Sequence, residues 1–246
     1  MSKFVEGRVV VKRRWAERLY SLQVEADIAP FQAGQFTKLA LDIGREVVGR
    51  AYSLVNAPDE TPLEFYFIEV PDGLLTQRLA ALEAGDTILI APNAAGFLTL
   101  SEVPEAKHLW LLSTNTGIAP FLSILKTGEP WQRFDRIVLA HGVRHVDELA
   151  YGETIRGFEQ EHGEQFRFVP FVSREETDFA LRARIPEAIA DGRLEAQAGV
   201  VFAPENSQVM LCGNPDMVRD TTETLLARGL KKNRRHDPGH ITVEIY

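Results

Sequence analysis

His108-Leu109-Trp110-Leu111-Leu112-Ser113, then Thr114-Asn115-Thr116-Gly117-Ile118-Ala119-Pro120-Phe121, reads as a strongly apolar strand, a tight turn and the start of a helix. Pro120 fits the first helical turn, where its missing N–H is harmless. The exposed N–H groups of such a helix start attract phosphate. The Gly-x-Gly-x-x-Gly fingerprint of ordinary dinucleotide folds is absent, so the turn points to a dinucleotide site of another kind or to a plain strand-turn-helix corner.

Downstream of this stretch the pattern alternates. Strands are predicted at 137–141, 166–172, 209–212 and 241–245. Helices are predicted at 118–126, 147–162, 185–190 and 215–228. Strands alternating with helices indicate a parallel, doubly wound sheet. Upstream the character differs. Short β-branched or aromatic runs at 4–11, 19–24, 35–41, 50–55, 63–70 and 87–90 are separated by turn residues, with one helical stretch at 74–82. That half is expected to be a closed antiparallel barrel. Two domains follow, 1–102 and 103–246, with the boundary near Ser101 to Ala106.

Size and composition agree with this. The 246 residues are 45% hydrophobic and 25% charged, ordinary for a globular protein able to bury a core without metals or disulfides. The one cysteine, Cys212, excludes an internal disulfide and suits a reducing compartment. The N-terminus lacks the apolar run of a signal peptide and no stretch is apolar enough for a membrane span, so the expectation is a cytoplasmic chain with no membrane partner. A net charge of −8 argues against nucleic acid as a partner. Two basic clusters stand out on this background: Lys12, Arg13 and Arg14, and Lys231, Lys232, Arg234 and Arg235. They read either as a docking surface for an acidic partner or as two solvated turns.

In Arg50-Ala51-Tyr52-Ser53, strand alternation puts Arg50 and Tyr52 on one face. A guanidinium grips a pyrophosphate by paired hydrogen bonds, and an aromatic ring two residues on can lie flat against an isoalloxazine. Ser53 adds a hydroxyl for a ring nitrogen. Arg144 follows one predicted strand of the second half, and Ser173 and Arg174 follow another, with Arg184 just beyond. Ligands bind outside the carboxyl ends of strands in open α/β sheets, so these arginines suggest a pocket for the 2′-phosphate of a nucleotide. Cys212, at the end of its strand, reads either as a nicotinamide contact or as a buried structural thiol. Other chemistries find little support. His141 and His145 are separated by Gly142, which spoils a helical metal face. No Gly-x-Ser-x-Gly elbow is present, and one cysteine cannot hold an iron–sulfur cluster.

Taken together and in order, these motifs resemble the plant-type ferredoxin/flavodoxin–NADP(+) reductase family, bacterial subclass. The resemblance runs nearly end to end. Arg50-Ala51-Tyr52-Ser53 matches its flavin motif, Glu64 to Thr76 resembles its adenine and pyrophosphate stretch, and Leu211 to Pro215 and Val243 to Tyr246 resemble its C-terminal motifs. It implies an antiparallel β-barrel FAD-binding domain followed by an α/β parallel-sheet NADP-binding domain. FAD contacts are implied for Arg50, Ala51, Tyr52, Ser53, for Tyr66, Phe67, Ile68 and Glu69, for Leu74, Leu75 and Thr76, and for Thr116. Tyr246 is implied to cover the second face of the flavin and to yield to nicotinamide. Ser53, Cys212 and Glu244 are the implied catalytic cluster. Arg144, Ser173, Arg174 and Arg184 are implied to bind NADP, with Val143, Asn214 and Asp216 lining the same nucleotide.

The chain departs from the family pattern at Asn115, where a glycine is usual. It departs again at Asn93-Ala94-Ala95-Gly96-Phe97, which lacks a common proline, and at Tyr246, after which some relatives carry a tryptophan. Asparagine tolerates left-handed backbone better than most residues, so the turn is expected to survive. The expected activity moves electrons from NADPH through FAD to ferredoxin or flavodoxin, in a monomer. Two alternatives stay open: another acceptor (a free flavin, a quinone or an oxygenase component), or a non-catalytic flavin-binding module.

Overall fold

The structure is a computed structural model that describes residues 3–44 and 46–245. Two compact units emerge. The first runs to Thr99 and takes in Ala119–Thr127, and the second holds Leu100–Ile118 and the chain from Gly128 onward.

In the first unit, β1 (Val5–Ala16), β2 (Leu19–Glu25), β3 (Phe36–Asp42), β4 (Val47–Ser53), β5 (Leu63–Ile68) and β6 (Thr87–Ile90) form an antiparallel sheet in the order β4-β3-β6-β1-β2-β5, with α1 (Thr76–Ala81) inserted before β6. Alternate residues of these strands fill the core, among them Val9, Leu22, Leu39, Phe65, Ile88 and Ile90. The expected closed barrel is corrected: the sheet is barrel-like, but its ladder does not run all the way round. Among the described residues, the backbone link between the end of β4 and β5 is limited to the Leu54↔Phe65 bridge and the Val55 N–H donated to the Glu64 carbonyl. The physical reason is local, since β4 ends at Ser53 and the chain turns through residues 56–62 before β5 starts.

In the second unit, β7 (His108–Thr114), β8 (Arg136–Val143), β9 (Phe166–Val172), β10 (Ser207–Gly213) and β11 (Ile241–Ile245) form a wholly parallel sheet, ordered β11-β10-β7-β8-β9. Such strands are covered on both faces, and β7, β8 and β10 accordingly read as near-continuous apolar runs. The helices in chain order are α2 (Ala119–Leu125), α3 (Glu129–Arg133), α4 (Gly152–His162), α5 (Ile185–Ala190), α6 (Arg193–Ala198) and α7 (Pro215–Ala227). α2 groups with the first unit. There the Ser123 hydroxyl donates to the Asn56 carbonyl at 2.7 Å, and Lys126 pairs with Glu60 at 3.2 Å.

Several sequence expectations shift. The helix expected from Ile118 begins as a 3-10 turn, Asn115–Ile118, and becomes α-helical at Ala119. The helix expected over 147–162 divides into a 3-10 turn at Val146–Glu148 and α4, because Tyr151 takes a left-handed conformation (φ 60°). The strand expected over 50–55 starts earlier, at Val47. α3 and α6 were not expected. No helix among the described residues is long and apolar enough to cross a membrane.

Candidate functional site

The order of the parallel sheet reverses at β7, whose neighbours are β8 on one side and β10 on the other. A doubly wound sheet opens a crevice at such a point, beyond the carboxyl ends of the strands. A cleft of about 680 Å³ lies there, lined by residues from the ends of all four neighbouring strands: Thr114 and Asn115 after β7, Val143 and Arg144 after β8, Ser173 and Arg174 after β9, and Asn214 and Asp216 after β10. The Thr114 hydroxyl accepts the Asn214 N–H at 3.1 Å, so the two central loops are joined at the cleft floor.

Four arginines line the cleft: Arg144, Arg174, Arg182 and Arg184. Among the described residues, no carboxylate lies within 4.0 Å of the Arg144, Arg174 or Arg184 guanidinium; Arg182 has a loose partner in Glu176 at 3.8 Å. Three carboxylates nearby in the chain are engaged by other donors. Glu148 accepts the backbone N–H groups of Arg144 and His145 at 2.8 and 3.1 Å. Glu175 accepts from His145 Nδ1 at 2.7 Å and from the Val146 N–H at 3.0 Å. Glu187, in the first turn of α5, accepts the Arg184 N–H at 3.2 Å. Uncompensated guanidiniums converging on a cleft make an anion site, and their planar forks suit a phosphate monoester. On the other rim, Asp216 is held by Arg219 at 2.8 Å. Asn214 caps α7, its side-chain oxygen accepting the N–H groups of Asp216 and Met217.

Beside the cleft the turn after β7 is tightly built. Asn115 adopts φ 46°, the left-handed region that asparagine tolerates. Gly117 is packed against the Cys212 carbonyl, where a Cβ would collide. Cys212 and Glu244 are register partners on β10 and β11. The Cys212 thiol is fully buried, and burial, with the neighbouring Glu244 charge, pushes its pKa well up, so it is a neutral thiol. Desolvation raises Glu244 to about 7. His141, buried on β8, meets the Ser113 hydroxyl at 3.0 Å through Nδ1, and burial lowers its pKa to about 3, so the ring is neutral. Thr116 is half-buried in the 3-10 turn.

In the first unit, Arg50 and Ala51 are exposed on β4, while Tyr52 and Ser53 are half-buried. Register pairs Leu39 with Arg50 and Thr37 with Tyr52, so Arg50 and Tyr52 share a face as the alternation requires. Burial raises the Tyr52 hydroxyl to about 12 against a smaller opposing effect of the Arg50 charge, and its ring meets Phe67 edge-on with centroids 6.2 Å apart. Tyr66, Phe67 and Ile68 belong to β5, a terminal strand of the sheet, and Glu69 follows it. Leu74 is exposed, Leu75 is buried, and Thr76 begins α1 with its hydroxyl accepting the Val70 N–H at 3.0 Å. Tyr246 lies outside the described residues. Among the described residues, no group of three or more His, Cys, Asp or Glu is placed to hold a metal.

Residues 111–223 match the family model described as an oxidoreductase NAD-binding domain. A flavodoxin/ferredoxin–NADP reductase of Escherichia coli (strain K12) is 46% identical over 247 residues, covering all of both chains. The chain belongs to the flavodoxin/ferredoxin–NADP reductase family. Its Shigella flexneri relative is likewise 46% identical over the whole of both chains. A crystal structure of a ferredoxin NADP+ reductase from Neisseria gonorrhoeae with bound FAD and NADP superposes with a TM-score of 0.95 at 36% identity, covering 100% of this chain and 99% of that one. This reductase chain therefore has the two-domain fold of its family.

The cleft brings together Val143, Arg144, Ser173, Arg174, Arg184, Asn214 and Asp216, all singled out in the sequence. It adds Arg182, Glu187 and Asp220, which sequence reasoning missed. A signal for Arg182 was present. Leu181 bridges to Phe171, and from 181 to 185 the chain alternates Leu181, Ala183 and Ile185 inward with Arg182 and Arg184 exposed. Of the remaining sequence candidates, Arg50 to Ser53, Tyr66 to Glu69 and Leu74 to Thr76 sit on or beside β4, β5 and α1 of the first unit, whereas Thr116, Cys212 and Glu244 belong to the second.

Proposed function

We propose that this chain transfers electrons from NADPH to ferredoxin or flavodoxin through FAD, with NADP(H) as cosubstrate in the second unit. The observation that carries the reading is the cluster of arginines at the carboxyl ends of β8 and β9, three of them without a carboxylate partner among the described residues. A 2′-phosphate carries about −1.5 to −2 charges and needs such partners. Arg144, Arg174 and Arg184 grip it, Ser173 donates a hydroxyl, and Val143, Asn214 and Asp216 line the rest of the nucleotide.

FAD fits the first unit. Arg50 is exposed and makes no ion pair among the described residues, its Nη1 donating only to the Gly49 carbonyl, and it stands on the same strand face as the Tyr52 ring. Arg50 holds the pyrophosphate, Ala51 lets it approach, Tyr52 lies against the flavin, and Ser53 offers a hydroxyl; the family resemblance also implies Thr116 as an FAD contact. The backbone of Tyr66 to Glu69 and of Leu74 to Thr76 holds the adenine side. Tyr246, outside the described residues, is the residue that the family resemblance implies for the remaining flavin face. When bound, FAD accepts two electrons as hydride and passes them on singly, which reconciles a nicotinamide with a one-electron acceptor. Glu244 is poised near neutrality to hold a proton at its carboxyl, and Cys212 supplies a neutral, compact wall beside it. The domains are 1–102 for FAD and 103–246 for NADP, in a monomer working in the cytoplasm without nucleic acid.

Anaerobic NADPH should bleach the flavin absorbance of the purified protein rapidly, and NADH only slowly. Replacing Arg144 or Arg174 by Ala should raise KM for NADPH about tenfold, as loss of a charge-assisted hydrogen bond predicts, with little change for NADH. A reduction assay comparing ferredoxin, flavodoxin and free flavin identifies the acceptor. A colourless protein unchanged by added FAD would refute the reading.

A further inference from the structure

His145 and Glu175 each lie one residue beyond a cleft-lining arginine, Arg144 and Arg174. Their two loops run side by side. The Ser173 N–H donates to the Val143 carbonyl at 3.1 Å, and the Arg174 N–H to the Arg144 carbonyl at 2.9 Å. The Glu175 carboxylate, next to Arg174 in the chain, is thus carried on a loop that also adjoins Arg144. It is drawn the other way. His145 Nδ1 donates to one oxygen at 2.7 Å and the Val146 N–H to the other at 3.0 Å. Those two donors also hold the carboxyl below its ordinary range, the Val146 N–H most strongly, so the group is ionised and a true competitor. Neither arginine has a carboxylate within 4.0 Å among the described residues.

A carboxylate that swung onto Arg144 or Arg174 would occupy the fork a phosphate uses and would repel the phosphate itself. We propose that His145 is a positioning residue that keeps the Glu175 carboxylate off Arg144 and Arg174, so that both guanidiniums stay open to the 2′-phosphate. This rests on the reading of the cleft as a 2′-phosphate site. Glu148 already spends Oε2 on the Arg144 and His145 N–H groups, which leaves Glu175 as the anion that His145 controls. An ordinary brace between loops would behave differently, because its loss could not be repaired by neutralising the carboxylate.

The test uses the FAD-loaded enzyme and reads KM and kcat with NADPH and with NADH. His145→Ala is expected to raise KM for NADPH three- to tenfold, with kcat and KM for NADH unchanged. His145→Asn, whose amide nitrogen replaces Nδ1, restores the KM. Adding Glu175→Gln to His145→Ala brings KM for NADPH back to within about twofold of the parent. The proposal is overturned if His145→Ala leaves KM for NADPH unchanged, or if the double variant is as impaired as the single one. Arg174→Ala separates this failure from that of the underlying reading: if it leaves discrimination between NADPH and NADH intact, the cleft does not read the 2′-phosphate and the proposal falls with it.

Discussion

Glu244 shows how far neighbours can move one side chain. Its carboxyl is raised from 4.5 to about 7 by desolvation alone. The folded chain therefore keeps the proton when the unfolded chain has lost it. As pH rises from about 4.5 to 7, the unfolded state releases its proton first and folding stability falls; above about 7 the penalty is complete. Glu244→Gln removes the ionisation. The variant should match the parent near pH 4.5 and exceed it by about 1–3 kcal/mol at pH 8, read from thermal unfolding at saturating FAD. Equal stability at pH 8 would show that the carboxylate is well solvated. Taken alone in the sequence Glu244 is a carboxylate near the end of the chain, and only the family resemblance implied a catalytic place for it. Its protonation depends on β10 and β11 pairing it with Cys212. Asn115 is the opposite case, since its identity announced the left-handed backbone that the turn adopts.

Among the elements, strands were more legible than helices. β6, β9, β11 and α5 stand where periodicity places them. α3 and α6 did not show because each is very short and marked by breakers: Gly128 before the first and Pro130 in its opening turn, Gly192 and Gly199 on either side of the second. Tertiary contacts make them helices. Arg133 of α3 donates to the carbonyls of Leu100 and Val103, and Glu195 of α6 forms a two-pronged pair with Arg228 at 2.6 and 2.8 Å. The turn between β7 and α2 has a sharper test. A Cβ on Gly117 would fall on the Cys212 carbonyl and only 3.0 Å from the Gly213 Cα, both backbone that cannot step aside. Gly117→Ala should cost about 1–3 kcal/mol by overpacking. Gly157→Ala, in the exposed middle of α4 with nothing within 4 Å of the new Cβ, should stabilise by about 0.5–1 kcal/mol. Urea midpoints compare the two; a loss below about 0.5 kcal/mol for Gly117→Ala would mean that the corner yields.

The whole molecule is acidic, at −8, yet carries two local basic clusters. In the first, Arg13 stacks on the Trp15 ring with its guanidinium 3.6 Å from the centroid, and Lys12 pairs with Glu83. In the second, Arg235 pairs with Glu102 at 2.8 Å, while Lys231, Lys232 and Arg234 are exposed. If an acidic electron carrier docks there, reversing charge at Lys231, Lys232 and Arg234 should raise KM for flavodoxin about tenfold at low salt. The gap should close as ionic strength approaches 0.3 M, and free-flavin reduction should not change. Identical flavodoxin kinetics before and after charge reversal would mark the cluster as a solvated turn.

By itself, the sequence determined that an antiparallel half is followed by a parallel half, and that arginines follow two strands of the latter. These are properties of short stretches, because a period of two, a glycine or a proline acts on its own neighbours. Only the tertiary structure decided that Arg144, Arg174, Arg182 and Arg184 share one cleft and that their neighbouring carboxylates are turned to other donors. It also decided that the antiparallel sheet stops short of a complete ladder, and that Glu244 sits where water is scarce. Each of these depends on pairing and packing between distant segments, whose free energy is summed over the whole core and written in no single stretch of chain.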